Sequence, residues 1–204
     1  MHLKLIKKGA EADLFSTKWQ EKEAVIKIRK AKRYRHKQLD DVIRERRTVH
    51  EANMINAAKA TGIRTPFVYF LDAKRYEIIM EFVDGKNVKE MISKNIGLEV
   101  GKYVSLLHNH NIIHGDLTTS NFIQSKDNLF LIDFGLSFYS ERIEDRAMDI
   151  RVMKEILQSA HVDIFEETFE NFLVGYSRFT NNKLDRVLNV VKQIEKRGRY
   201  TRMS

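Results

Sequence analysis

The chain has 204 residues, 43% of them hydrophobic, with no cysteine and a formal charge of +8 from 36 basic and 28 acidic side chains. That apolar share supports a core burying roughly 70% of the unfolded surface, while the lack of cysteine excludes disulfides, thiolate metal sites and a cysteine nucleophile. No run of about 18 apolar residues argues for a membrane span, and the charged opening MHLKLIKKGAEADLF fits no signal-peptide core, so a soluble cytoplasmic protein with no membrane partner is expected.

LFSTKW (14–19) and EAVIKIR (23–29) read as strands separated by the charged turn QEKE. The second alternates Ala24, Ile26 and Ile28 with Val25, Lys27 and Arg29, the period of a strand. Residues 39 to about 60 read as a helix, opened by the acidic LDD and closed by Gly62 and Pro66. FVYFLD (67–72) and YEIIMEFV (76–83) are two further strands. Beyond them the pattern turns helical. Val100, Val104, Leu107 and Asn111 form one stripe, NIIHGDLTTSNF interrupts as a loop, and NLFLIDF is a short strand. Three amphipathic segments follow, around Ile150–Leu157, Phe165–Tyr176 and Leu184–Ile194, each apolar at three- and four-residue steps. The fold class is therefore α+β, with a β-rich lobe over 1–83, a helical lobe over 84–196 and a basic tail over 197–204.

The charge is uneven. KIRKAKRYRHK (27–37) carries seven Lys and Arg with no acid among them, and KRGRYTRMS ends the chain with a second cluster. Such patches attract phosphate backbones or acidic surfaces. The chemistry concentrates in IIHGDLTTSNF (112–122) and IDFG (132–135). Phosphoryl transfer needs hard oxygen ligands for metal, a cation on the phosphates and a carboxylate to orient the acceptor. Asp116, Asn121 and Asp133 supply oxygens, and Lys27 in AVIK supplies the cation.

In order and spacing these stretches resemble the protein kinase superfamily, which implies a bilobal kinase-like fold and the cofactors ATP and Mg²⁺. By that resemblance, Lys27 holds the α- and β-phosphates and Val25 roofs the adenine. Met80, Glu81 and Val83 in MEFVDG form the hinge. Asp116 is the catalytic base, and Asn121 and Asp133 are the metal ligands. Gly9 and Ala10 belong to the phosphate loop, with Lys7 or Lys8 compensating for its missing glycines. The acid paired with Lys27 is expected to be Glu51, which shares a stripe with Thr48, Ile55 and Ala58. Glu45 sits among arginines and reads as solvated. Asp149 resembles the buried aspartate that holds the catalytic loop. Gly115 stands where most kinases carry the arginine that reads a phosphorylated activation loop, and Thr118 where Ser/Thr kinases carry a lysine. Only nine residues separate Gly135 from a helix expected near Asp145, too few for a peptide-docking segment.

KKGAEADLF, IKIRKAKRYRHKQLD, RRTVHEANMINAAKATGIRTP, HGDLTTSN, IDFGLS and KRGRYTR together resemble the small atypical Ser/Thr kinase of the KEOPS complex. That resemblance implies autophosphorylation and ATPase action in support of threonylcarbamoyladenosine formation on tRNA. It implies as partners the threonylcarbamoyl transferase subunit, a small helical bridging subunit, and tRNA met by the basic stretch 29–37 and the tail 197–202 (Arg197, Arg199, Arg202). Ser137 and Ser204 are candidate phosphorylation sites. The alternative is a stand-alone Ser/Thr kinase acting on a separate protein.

Overall fold

The computed structural model describes residues 3–181 and 184–201. The strongest alternation in the sequence becomes a hairpin of β2 (Ala12–Trp19) and β3 (Lys22–Arg29), in unbroken register from Ala12↔Arg29 to Trp19↔Lys22. Its two-residue turn holds Gln20 at φ 46° and Glu21 at φ 64°, the left-handed pair that matches the twist of a tight hairpin. On one sheet face Ala24 and Ile26 pack with Ile79, Phe15, Trp19 and Tyr69. Val25 and Lys27 line the opposite, cleft-facing side.

Three more strands complete an antiparallel sheet in the order β1-β2-β3-β5-β4: β1 (Lys4–Lys8), β4 (Val68–Asp72) and β5 (Glu77–Glu81). β1 was not legible, because all five of its residues are exposed and no burial period marks it. Its presence shortens the expected phosphate loop to Gly9–Glu11. Between β3 and β4 runs α1 (Lys37–Ala60), beginning two residues earlier than the sequence suggests. Gly62, at φ 96°, ends it in the left-handed conformation that glycine adopts freely.

The remaining chain holds β6 (Lys86–Asn87), α2 (Lys94–Asn109), β7 (Ile112–Ile113), β8 (Phe122–Ser125), β9 (Asn128–Leu131), β10 (Phe138–Tyr139), α3 (Ile143–Ala160), α4 (Phe165–Phe179) and α5 (Leu184–Thr201). The expected short strand is β9, and β8 pairs with it as a hairpin. α2 and α4 pack in close approach: a Cβ added at Gly101 would meet the Phe172 carbonyl oxygen at 2.0 Å, and one at Gly175 the Leu98 carbonyl oxygen at 2.0 Å. One apolar core runs from Met54 and Ile55 of α1 through Leu117, Phe122 and Phe134 to Ile150, Phe172 and Val187. It lies beneath the segments that carry the HGD and DFG residues.

Of the tail, residues 197–201 continue α5 as helix. The side chain of Arg199 and residues 202–204, Arg202 and Ser204 included, lie outside the described residues. Among the described residues no helix is long and apolar enough to cross a membrane.

Candidate active site

Strand alternation places Lys27 and Arg29 on the same side of β3, and α1 lies against it. Glu51 of α1, only 1% exposed, faces both. The Lys27 Nζ donates to Glu51 Oε1 at 2.6 Å and to Asp133 Oδ1 at 2.9 Å. The Arg29 guanidinium takes the other Glu51 oxygen. A buried carboxylate is costly unless paired and hydrogen-bonded, and here two cations share it. Burial works against the charge on Lys27, but Glu51 and Asp133 outweigh it and raise the lysine pKa. Burial likewise opposes ionisation of Asp133, yet Lys27 prevails and holds that carboxyl below the ordinary carboxylate range. Asp133 sits at φ 62°, a conformation in which Asp is among the few tolerated side chains. The carboxylate thereby reaches Lys27 while the next residue, Phe134, is fully buried. Glu45 lies at the surface, 3.0 Å from Lys74.

The catalytic loop is held from below. Asp149 of α3 is 2% exposed and accepts the His114 and Gly115 backbone N–H groups at 2.7 and 2.9 Å. His108 of α2 lies 3.3 Å from Asp149 and 3.0 Å from the Tyr176 hydroxyl of α4. Burial pushes that hydroxyl up to about 12, so it stays protonated and available as a donor. The Asn121 amide nitrogen donates to the Asp116 carbonyl and carboxylate at 2.8 and 3.1 Å, which leaves Asn121 Oδ1 without a hydrogen-bond partner among the described residues.

Gly115 is at φ 79°, and a Cβ there would lie 2.4 Å from the Leu136 carbonyl oxygen. The backbone itself therefore requires glycine where most kinases carry arginine. Thr118 caps the 3-10 turn Thr119–Asn121 and brings no cation. After the DFG residues, β10 pairs with β7, Phe138 opposite Ile113. α3 begins at Ile143 rather than near Asp145, so the connecting segment is even shorter than expected.

Two adjoining cavities meet at Lys7, Leu14, Lys27 and Asp133. One of about 260 Å³ is walled by Val25, Met80, Glu81, Val83, Ile123 and Ile132, with Glu51 and Asn121 at its inner end. Val25 stands opposite Met80 in the sheet. The Glu81 N–H donates to the Phe67 carbonyl at 2.8 Å, whereas the Val83 N–H has no hydrogen bond within the described residues. The other cavity, about 270 Å³, is bordered by Gly9, Ala10, Arg29, Arg47, Asp116 and Gly135. The predicted residues therefore gather in one cleft, with Lys7 and not Lys8 at its edge. Sequence reading missed Leu14, Ile123 and Ile132. Leu14 pairs with Lys27 across the hairpin, and the two isoleucines flank Asn121 and Asp133, so spacing alone could have found them.

Two expectations need correction. The basic stretch 29–37 does not present all its cations outward. Arg29 is 6% exposed and bound to Glu51. Lys30 donates to the Gly9 carbonyl at 2.9 Å, Lys32 to the Ala10 carbonyl at 2.8 Å, and Arg35 reaches Asp40 at 3.4 Å. Arg33 and Lys37 remain exposed without a recorded partner within the described residues. Ser137 is 2% exposed and its hydroxyl donates to the His114 carbonyl at 3.0 Å, so it is a structural bond and not an open phosphate acceptor.

A family model described as the protein kinase domain matches residues 3–159. The KEOPS complex subunit Bud32 of Pyrococcus abyssi is 35% identical, the match covering 99% of this chain and 98% of the relative. The chain belongs to the Bud32 family of protein kinases. Other members of that family's neighbourhood are longer. The probable bifunctional tRNA threonylcarbamoyladenosine biosynthesis protein of Methanococcus vannielii is 42% identical over 96% of this chain but 36% of its own length. The chain thus spans about a third of such curated relatives. The Rio2 kinase–ADP/Mg²⁺–phosphoaspartate complex of Chaetomium thermophilum shares the fold at a TM-score of 0.66 and 15% identity, covering 96% of this chain and 72% of that one. The expected α+β kinase-like architecture is borne out.

Proposed function

We propose that this Bud32-family chain binds ATP with Mg²⁺ and transfers the terminal phosphoryl group, chiefly to water, as a KEOPS subunit supporting threonylcarbamoyladenosine formation on tRNA. The observation that carries it is the meeting of Lys27, Glu51, Asp116, Asn121 and Asp133 around one cleft. The names of the Pyrococcus and Methanococcus relatives supply the biological setting.

The apolar walls between Val25 and Ile132 suit an adenine ring, with the unpaired Val83 N–H on its edge. Lys27, kept charged and oriented by Glu51, holds the α- and β-phosphates. Asn121 Oδ1 and the Asp133 carboxylate suit a hard cation. Among the described residues no cluster of three His, Cys, Asp or Glu could hold a metal by itself, so phosphate oxygens and water would complete the shell, as magnesium prefers. When bound, the metal neutralises charge on the phosphate oxygens. Asp116, fixed by Asn121, accepts the proton of the attacking water or hydroxyl. With Ser137 locked inside, autophosphorylation falls to another hydroxyl. The transferase subunit, the bridging subunit and tRNA are the proposed partners. Arg33 and Lys37 are exposed cations suited to tRNA phosphates, the basic tail 197–202 is proposed to join them, and a cytoplasmic setting follows from that role.

The test is one assay of Mg²⁺-dependent phosphate release and radiolabel incorporation, run with and without tRNA and a transferase partner. Release that rises with both, with little label on protein, is expected. Strong label on a separate protein, indifferent to tRNA, would instead establish a stand-alone kinase.

A further inference from the structure

The loop Gly9–Glu11 keeps only one of the glycines that let a kinase backbone wrap phosphate, and its neighbours point to a substitute. Glu11 is held by two cations from different elements. Its Oε1 lies 3.0 Å from Lys32 Nζ and its Oε2 lies 2.9 Å from the Arg47 guanidinium. Arg47 stands one helical turn before Glu51 and so shares its face of α1. Both Arg47 and Glu11 border the cavity that contains Lys27, Asp116 and Asp133.

The two pairs differ in what they can give up. Lys32 is largely enclosed, its side chain 17% exposed, and it also donates to the Ala10 carbonyl. The Arg47–Glu11 pair is open, with side chains 41% and 48% exposed, and pairs of that kind contribute little. Lys27 and Arg29 are already committed to Glu51. A phosphate oxygen makes the same demands on a guanidinium as a carboxylate does, with more charge and two-point geometry.

We infer that Arg47 is a ligand for the terminal phosphate of the nucleotide, and that the Glu11 carboxylate occupies it until that phosphate arrives. The inference rests on the nucleotide-binding reading above. Lys32 keeps Glu11 and the loop in place while Arg47 changes partner. A side-chain exchange thus does the work of the absent glycine amides, and it responds to the third phosphate rather than to the first two.

The test compares Mg²⁺-bound non-hydrolysable ATP analogue with ADP, by calorimetry on the full chain. Arg47→Ala should weaken the analogue about tenfold, the scale of one exposed charge-assisted contact, and leave ADP within about twofold. Glu11→Gln should tighten the analogue several-fold without changing ADP, and the double variant should lose that gain. Equal effects on both nucleotides, or a gain that survives removal of Arg47, would overturn the inference while leaving nucleotide binding intact. Wild-type chain that binds neither nucleotide would overturn both readings. Thermal melts of the variants verify folding, and both altered residues are half-exposed.

Discussion

Two loops border the same cavity and are held in opposite ways. The catalytic loop is fixed by buried groups aimed at its backbone: Asp149 on two N–H groups, with His108 and Tyr176 behind it. The loop Gly9–Glu11 has backbone bonds from the Gly9 N–H to the Ala12 carbonyl at 3.1 Å and from the Lys30 N–H to the Glu11 carbonyl at 3.0 Å, a bond from the Gly9 N–H to the Asp13 carboxylate at 3.2 Å, and otherwise rests on long cationic side chains, the half-exposed Lys30 and Arg47 and the more enclosed Lys32. Buried hydrogen bonds are expensive to break, whereas exposed ion pairs exchange readily. On the proposed reading, order is concentrated where the proton and the attacking oxygen would be aligned, and adjustability is left where the phosphates would enter.

Four experiments probe that contrast, in falling order of effect. Asp133→Ala should reduce Mg²⁺-dependent phosphate release to background, since it removes the proposed metal ligand and the second partner of Lys27. Turnover that survives would dismiss the metal assignment. Asp149→Ala should come next. It strands the buried His114 N–H and His108 and frees the Gly115 N–H, at a cost of about 3 kcal/mol, and should lower kcat far more than it raises KM. Lys30→Ala at the other loop should cost under about 1 kcal/mol, so denaturant melts of the two variants measure the contrast directly. Equal costs would erase it.

Gly115→Ala is third. The left-handed backbone alone costs about 1–2 kcal/mol, and contact with the Leu136 carbonyl must shift the segment after the DFG residues. Amide exchange in 136–140 should rise, and an unchanged exchange pattern would refute the close approach. The smallest effect is on pH. The Asp133 carboxyl is depressed when folded, so its contribution to stability is present above the ordinary carboxylate range and lost as pH falls through the depressed value. Lys27 is raised, so its contribution is complete below the ordinary lysine range and lost as pH climbs through the raised value. The stability gap between wild type and Asp133→Asn should be flat at neutral pH and close in acid. A gap that stays constant into strong acid would show that the carboxylate is not depressed.

The site was legible where chemistry dictates residue type and spacing together. HGD, Asn121 and DFG could be read directly, and Glu51 followed from a helical stripe that needed a reason to include a carboxylate. Asp149 came instead from the family resemblance, and no local period singled it out. Arg29 was misread because it begins a run of surface cations. Strand alternation already put it beside Lys27, but only the seating of α1 against β3 decides that its charge turns inward. Ser137 was misread because a hydroxyl after DFG looks available, and its burial depends on β10 pairing with β7, a contact between distant segments. Asn111 extends the apolar stripe of α2 in sequence, yet it leaves the helix at φ 59° and its carbonyl accepts the Ser140 N–H at 2.8 Å. Such outcomes are set by tertiary partners that a local period does not encode.

The glycine at 115 has a consequence for how this kinase could change over time. Only a residue with no side chain passes under the Leu136 carbonyl. A single codon change to arginine would displace the strand that follows before it could recognise any phosphorylated residue. A covalent on-switch read by an arginine at this position is therefore blocked by the backbone. On the proposed reading, control falls to what fills the cleft and to what docks around it.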